Sequence, residues 1–283
     1  MHDKKSIKLL MVGDIVGVPG CAMLQKHLGK LKQKYQLDAV VVNGENAAPD
    51  GRGLTIRVMK FFKHNGVDMV TSGNHIWQKK EIYSYLQDNK DLLRPANYPG
   101  ECPGVGVSFF MTESGIMVGV LNLQGRTFMR EQLSCPFKAA DSALLFMRTK
   151  TPIILVDFHA EASSEKVGLG LYLDGRVSVV VGTHTHVQTA DARILPEGTA
   201  FITDVGMVGS LNSMIGLKKE SVLPIFLTQM PSKFEVEIRG PRVLSGLVVE
   251  IDTVTGKSLS FERLFIVDSE EAPELVPEEL TGK

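Results

Sequence analysis

Residues 177–186 read VSVVVGTHTH, an almost unbroken aliphatic run that ends in two histidines two positions apart. A strand covered on both faces of a parallel sheet carries such a run, whereas a half-buried strand alternates apolar with polar. Four other stretches share the form: LLMVGD at 9–14, VVVNGEN at 40–46, VDMVTSGNH at 67–75 and IILVDFH at 153–159. Each ends in a carboxylate, an amide or an imidazole. Open α/β sheets gather their ligands beyond the carboxyl ends of parallel strands. The pattern therefore predicts an α/β fold with Asp14, Glu45, Asn46, Asn74, His75, His159, His184 and His186 along one rim.

Between these runs the apolar period changes to that of helices. Met23, Leu24, Leu28 and Leu31 mark a helix over 22–35, Ile56, Met59 and Phe62 mark another over 55–65 that closes at Gly66, and 79–86 and 139–147 read as two more. IMVGVLNL at 116–123 and the segment 200–203, which ends at Asp204, read as strands. Residues 124–138, with Arg126, Phe128, Met129 and Pro136, suggest a small cap segment beside the site. FEVEIR at 234–239, GLVVEID at 246–252 and SLSFERL at 258–264 alternate, which predicts half-buried antiparallel strands. With no repeat and no long linker, one domain is expected over 1–267. The last sixteen residues, 268–283, hold six acids and two prolines and read as an acidic C-terminal tail.

The chain has 283 residues, 43% of them hydrophobic, and 31 basic against 32 acidic side chains. That length supports a sizeable core, and a net charge of -1 gives no global field to recruit RNA or an anionic membrane. Phosphate binding must then come from a local site. Cys21, Cys102 and Cys135 are an odd, widely spaced set with no CxxC pair, the pattern of reduced thiols in a cytoplasmic protein. Lys4 and Lys5 followed by VPGC at 18–21 imitate an export signal, but Lys8 and Asp14 interrupt the apolar region it would need. No apolar stretch reaches 18 residues, so no membrane partner is expected.

In an extended segment, positions i and i+2 point the same way, so His184 and His186 can face one ion or two adjacent ions. An isolated HxH is more often a polar strand face. His159, Asp14 and Glu45 at neighbouring strand ends reverse that preference, and imidazole with carboxylate suits iron, manganese or zinc, where an all-oxygen set would suit magnesium or calcium. Glu45 ends a buried aliphatic strand, where a carboxylate is costly unless it meets a cation, and its two oxygens can bridge two ions. Asn74 offers a neutral oxygen ligand, while His75 beside it can stay unligated and donate a proton to a leaving oxygen. Gly13, Gly17 and Gly20 lack the GxGxxG spacing of a dinucleotide site. Arg94, Asn97 and Arg126 are candidates for holding phosphate or base. Asp157 and Glu161 flank His159 and could orient it. His2, His27 and His64 read as structural, and Trp77 and Tyr98 as packing residues.

GD at 13–14, GEN at 44–46, GNH at 73–75, the lone His159 and GTHTH at 182–186, in this order, resemble the calcineurin-like metallophosphoesterase superfamily. The six blocks GDIVGVPG, NGENAA, GNHIW, RPANYP, FHAEAS and GTHTHVQTAD, spread over nearly the whole chain, resemble its YmdB-type branch of 2',3'-cyclic-nucleotide 2'-phosphodiesterases. The resemblance implies a four-layer α/β/β/α sandwich with two mixed sheets. It implies one metal held by Asp14, Glu45, Asn46 and His186, a second held by Glu45, Asn74, His159 and His184, and His75 as the catalytic acid. The implied cofactor is a pair of divalent transition-metal ions, iron foremost and manganese or zinc next. The implied reaction is attack by a metal-bridging hydroxide on a small phosphodiester, with cleavage of the bond to the 2'-oxygen and release of the 3'-nucleotide. Where the wider superfamily begins Asp-x-His, this chain has Val16, and Asn46 stands in for the missing ligand. Ile76 and Glu45 depart from the superfamily in the same direction, away from protein phosphatase or 5'-nucleotidase activity. A broader phosphomonoesterase or nuclease, or a nucleotide-sensing regulatory protein with weak turnover, are the alternatives, and a homo-oligomer is compatible with all of them.

Overall fold

The computed structural model describes residues 4–269. Its first half alternates strand and helix: β1 (Ser6–Val12), β2 (Asp14–Ile15), α1 (Gly17–Tyr35), β3 (Ala39–Asn43), α2 (Ile56–His64), β4 (Met69–Thr71) and α3 (Ile82–Asp88). Then come β5 (Val107–Met111), β6 (Met117–Gln124), α4 (Pro136–Met147), β7 (Ile154–His159), α5 (Ser163–Leu173), β8 (Val179–Thr183), β9 (Arg193–Ile194) and β10 (Ala200–Ile202). The last elements among the described residues are β11 (Met207–Ser210), α6 (Lys219–Thr228), β12 (Arg242–Asp252) and β13 (Ser258–Asp268). The helices start and stop where local chemistry directs. Thr55 caps α2 by accepting from Val58 N at 3.2 Å, and Gln36 ends α1 in left-handed geometry.

Two mixed sheets form. In the first, β12 carries β13 along one edge and β1 on the other, followed by β3 and β4. Where β1 leaves β12, β11 continues its place with β2 beside it. The second runs β5-β6-β7-β8-β10-β9, parallel through the four central strands and antiparallel at both edges.

Strand residues of alternate parity face opposite ways, and this builds three apolar seams. Leu10, Val12, Val40 and Val42 meet α1 and α2 through Leu24, Leu28, Phe61 and Phe62. Leu9, Met11, Val41 and Val249 turn the other way and meet Val120, Leu155, Val179 and Val181 of the second sheet. Val156, Phe158 and Val180 close on α4 and α5 through Leu144, Leu169 and Leu173. Three seams between four layers give the α/β/β/α sandwich. Each such fully buried side chain stabilises the fold by about 1.5–3 kcal/mol.

Two sequence expectations are corrected here. FEVEIR forms no ladder: Val236 alone makes an isolated bridge to Leu217, because its side chain packs with Val16 and Val243 in a small satellite cluster. β12 is not half-buried but buried over nearly its whole length, since Leu244 and Val248 enter one seam while Leu247, Val249 and Ile251 enter the next. α6 escaped the sequence reading, as Pro224 lies inside it. The cap segment after β6 has no regular structure until α4 and is pinned by Asn97, which donates to the carbonyls of Gln124 and Ser134. β13 runs through Asp268, and the expected tail beyond residue 269 lies outside the described residues. Among the described residues no helix is long and apolar enough to cross a membrane.

Cys21 lies on the buried face of α1, and desolvation pushes its thiol up to about 12. Cys102 and Cys135 are half-buried. Iodoacetamide attacks the thiolate, so the folded protein should label Cys21 more than an order of magnitude more slowly than the other two, read by peptide mass spectrometry with the denatured chain as reference.

Candidate metal centre

The rim assembles from the carboxyl ends of five neighbouring strands. Asp14 follows β1, Glu45 and Asn46 follow β3, and Asn74 and His75 follow β4. From the other sheet, His159 is the last residue of β7, and His184 and His186 follow β8. These ends meet because β1, β3 and β4 run parallel in one sheet and β7 and β8 in the other.

The three ring systems are each locked by an outer acceptor. His159 Nδ1 donates to Thr183 Oγ1 at 3.0 Å, and that hydroxyl passes its own proton to Asp157 Oδ1 at 2.7 Å. His184 Nε2 lies 3.1 Å from Glu161 Oε2. His186 Nδ1 donates to the Ile215 carbonyl at 2.8 Å. Fixing the proton on the outer nitrogen leaves the inner nitrogen bare, the arrangement in which imidazole ligates a metal. Sequence reading aimed Glu161 at His159. The structure gives it to His184, and Asp157 reaches His159 only through Thr183.

The inner atoms then crowd one another. His159 Nε2 is 3.0 Å from His184 Nδ1, 3.0 Å from Asn74 Oδ1 and 3.2 Å from Glu45 Oε1. With the outer protons placed, these are four lone pairs and no proton. A cation between them removes the conflict, and Glu45, His159 and His184 offer ligand atoms all within 4.8 Å of one another. A few ångströms away, His186 Nε2 lies 3.7 Å from Asp14 Oδ1. Asp14 Oδ1 and Asn46 Oδ1 are buried without a hydrogen-bond partner, which a native fold rarely leaves so. His184 and His186 hold φ of +98° and +65°, left-handed backbone that costs on the order of 1–3 kcal/mol each and gathers at functional sites.

Electrostatics favour a cation at this place. Asp14, Glu45, Asp157 and Asp204 are each no more than 1% exposed, and among the described residues Lys166 is the one buried ammonium beside them. Burial raises the Asp14 carboxyl well above its usual range, and the charges of Asp204, Glu45 and Asp157 push the same way. Burial also opposes ionisation of Glu45, but positive charge on its His159 and His75 side, the charge a cation there would supply, outweighs burial and holds that carboxyl well below the usual range. Burial, then the neighbouring His159, pulls His184 down to about 3, and burial lowers His186. Both rings are thus neutral at neutral pH, with lone pairs free for a divalent ion. The nitrogen and oxygen donors present fit a transition-metal ion.

A profile of the YmdB-like protein family matches residues 10–264. The chain belongs to that family. It is 47% identical to a 2',3'-cyclic-nucleotide 2'-phosphodiesterase of Bacillus subtilis, over 93% of this chain and 98% of the relative. A solved phosphatase of Mycoplasma pneumoniae superposes with a TM-score of 0.87 at 36% identity, covering 93% of this chain and 94% of that one. The sulfate thiohydrolase SoxB of Thermus thermophilus shares the fold at a TM-score of 0.52 and 12% identity, over 89% of this chain and 43% of that one.

Two adjoining cavities open over the centre of this YmdB-like chain. One, of about 320 Å³, is lined by Asn46, Arg52, His184, Ile215, Leu217 and Phe234 among others, and the other, of about 390 Å³, by Asn74, Gln78, Phe128, Arg130 and Glu131. Arg52, His75 and His184 line both. Val16 lines the first cavity beside Asn46. Arg94 spends its guanidinium on the carbonyls of Pro103, Pro95 and Pro99, and Asn97 holds backbone at both ends of the cap segment. Arg126 is exposed, with its backbone nitrogen bonded to Glu165. Trp77 packs edge-on against Tyr83 and Tyr98. Arg52, Arg130 and Phe234 were not singled out from the sequence, because no periodicity marks a loop residue that reaches a distant cavity.

Proposed function

We propose that this chain is a dinuclear-metal phosphodiesterase that opens 2',3'-cyclic nucleotides at the bond to O2' and releases the 3'-nucleotide. The convergence of four proton-free ligand atoms, from Glu45, Asn74, His159 and His184, carries the reading. The Bacillus subtilis relative, a 2',3'-cyclic-nucleotide 2'-phosphodiesterase, supports the substrate class. In this reading Asp14, Glu45, Asn46 and His186 hold one ion, Glu45, Asn74, His159 and His184 hold the other, and Glu45 is shared. Iron is the favoured metal, and the same donors accept manganese or zinc. Bound there, the ions supply an activated water and neutralise charge on the nonbridging phosphate oxygens.

The chain's own residues then have defined tasks. His75 Nδ1 lies 3.4 Å from Glu45 Oε1, so a proton on Nδ1 faces that carboxylate and the imidazolium keeps its exchangeable proton on Nε2. Burial opposes protonation of His75, but its contact with Glu45 outweighs that and raises its affinity for a second proton. As the water oxygen bonds to phosphorus and the P–O2' bond breaks, His75 gives its Nε2 proton to O2', and the proton shed by the water later restores the ring. Arg52 and Arg130 face the phosphate, where a planar guanidinium pairs two oxygens at once. Arg94 and Asn97 shape the segments behind them, and Arg126 lies in the cap segment beside Phe128 and Arg130. Phe234 offers the base an aromatic face with the Arg52 guanidinium 5.2 Å from its centroid.

Parallel assays on 2',3'-cyclic AMP, p-nitrophenyl phosphate and a short RNA, with Mn²⁺ or Fe²⁺ supplied, test this reading. Strong preference for the cyclic substrate with 3'-AMP as product is expected. Preference for the monoester, or 2'-AMP as product, would overturn it.

A further inference from the structure

Lys166 lies on the inward face of α5 with Leu169, Gly170 and Leu173, and is 1% exposed. A buried ammonium is costly unless it is paired, and its Nζ lies 2.7 Å from Asp204 Oδ2, just beyond β10. Gly182 makes the space for it: a Cβ there would stand 2.8 Å from Lys166 Cδ and 1.8 Å from the Thr203 carbonyl oxygen.

The Asp204 carboxylate is tied in two directions. Its Oδ2 also accepts from Thr185 N at 3.1 Å and Thr185 Oγ1 at 2.7 Å, and Thr185 is the residue between the left-handed His184 and His186. Such backbone persists only where the surroundings impose it. Its Oδ1 accepts from Gly206 N at 2.8 Å, and the Gly206 carbonyl accepts from Asp14 N at 3.0 Å. One carboxylate therefore reaches both the backbone of Asp14 and the turn that carries His184 and His186.

We propose that the Lys166–Asp204 pair positions Asp14, His184 and His186 for metal binding, a role that rests on the reading of those three as ligands. Lys166 sets a positive charge against Asp204 in the interior, while both oxygens of that carboxylate accept hydrogen bonds from the backbone around the centre. Neither residue lines the two cavities, and both act through the groups they hold.

Calorimetric Mn²⁺ titration of the metal-free protein, with the metal-free melting temperature measured beside it, separates positioning from plain stabilisation. Lys166→Met strands a buried carboxylate and should lower both melting temperature and affinity. Lys166→Met combined with Asp204→Asn removes both charges, and replacement of a whole buried pair is often tolerated. The double variant should regain most of the melting temperature yet bind Mn²⁺ ten- to a hundredfold more weakly than the parent, because an asparagine has one carbonyl oxygen where the carboxylate uses two. Thr185→Val leaves the ion pair intact and should weaken Mn²⁺ binding several-fold at an unchanged melting temperature. Parent-like affinity in the double variant or in Thr185→Val would overturn the positioning role and leave the metal centre standing. A parent that takes up no Mn²⁺ would overturn both.

Discussion

Gly73→Ala should empty the metal centre while leaving the protein folded. A Cβ at this position would stand 2.1 Å from His159 Cδ2, 2.3 Å from His159 Nε2 and 2.4 Å from Glu45 Oε2, all far inside van der Waals contact. His159 and Glu45 are the two side chains whose inner atoms meet at 3.2 Å, and neither can retreat within its seat without parting from the other. His159 is fixed behind by Thr183, and Glu45 Oε2 is held by His75 N at 3.2 Å. Overpacking a well-filled site costs about 1–3 kcal/mol, a tolerable loss for a domain with three apolar seams. Metal affinity should fall at least a hundredfold, and turnover with it, while circular dichroism and the cooperative melt persist. Gly29→Ala is the control. Gly29 is on the exposed face of α1, with nothing within 4 Å of an added Cβ, so it should keep full metal content and gain about 0.5–1 kcal/mol of stability. Parent-like metal content in Gly73→Ala, measured by elemental analysis, would contradict the packing of His159 against Glu45.

The same packing explains what could be read from the sequence. Asp14, Glu45, Asn74, His159 and His184 were legible as one rim because each follows an aliphatic run, and runs in parallel strands deliver their last residues to one edge. The three seams were legible in outline for the same reason: the alternate residues of β1, Leu9 and Met11 against Leu10 and Val12, are all apolar, as a doubly covered strand requires. Lys166 was overlooked, although a signal exists. Positions 166, 169, 170 and 173 share one helical face, and three of the four are Leu or Gly, so a lysine there is predicted to be buried and paired. Glu161 was noticed but given the wrong histidine, since proximity in sequence to His159 says nothing of the turn that brings His184 to within 3.1 Å of it. FEVEIR misled because alternation describes side chains and not hydrogen-bond partners. Its backbone found a single bridge, to Leu217. Arg52 and Phe234 are 182 positions apart and meet only through the fold.

On the proposed mechanism, His75→Ala should keep the parent's metal content and lose turnover on 2',3'-cyclic AMP by about 10²–10⁴, the range for removal of a general acid. Metal content should survive because none of the four crowded ligand atoms belongs to His75, and because its backbone N–H, which holds Glu45 Oε2, is untouched by the substitution. Asn46 keeps its orientation through the Gly51 carbonyl at 3.2 Å, so its buried Oδ1 stays without a hydrogen-bond partner and available as a ligand. The loss should depend on the leaving group. A ribose O2' departs as a strongly basic alkoxide unless it is protonated, whereas p-nitrophenolate is stable without a proton. The same variant should therefore lose less than about tenfold on a p-nitrophenyl phosphodiester, if proton donation is what the ring supplies. Equal losses on the two substrates would instead assign His75 to binding or to shaping the cavity it lines, and a drop in metal content would assign it to the support of Glu45.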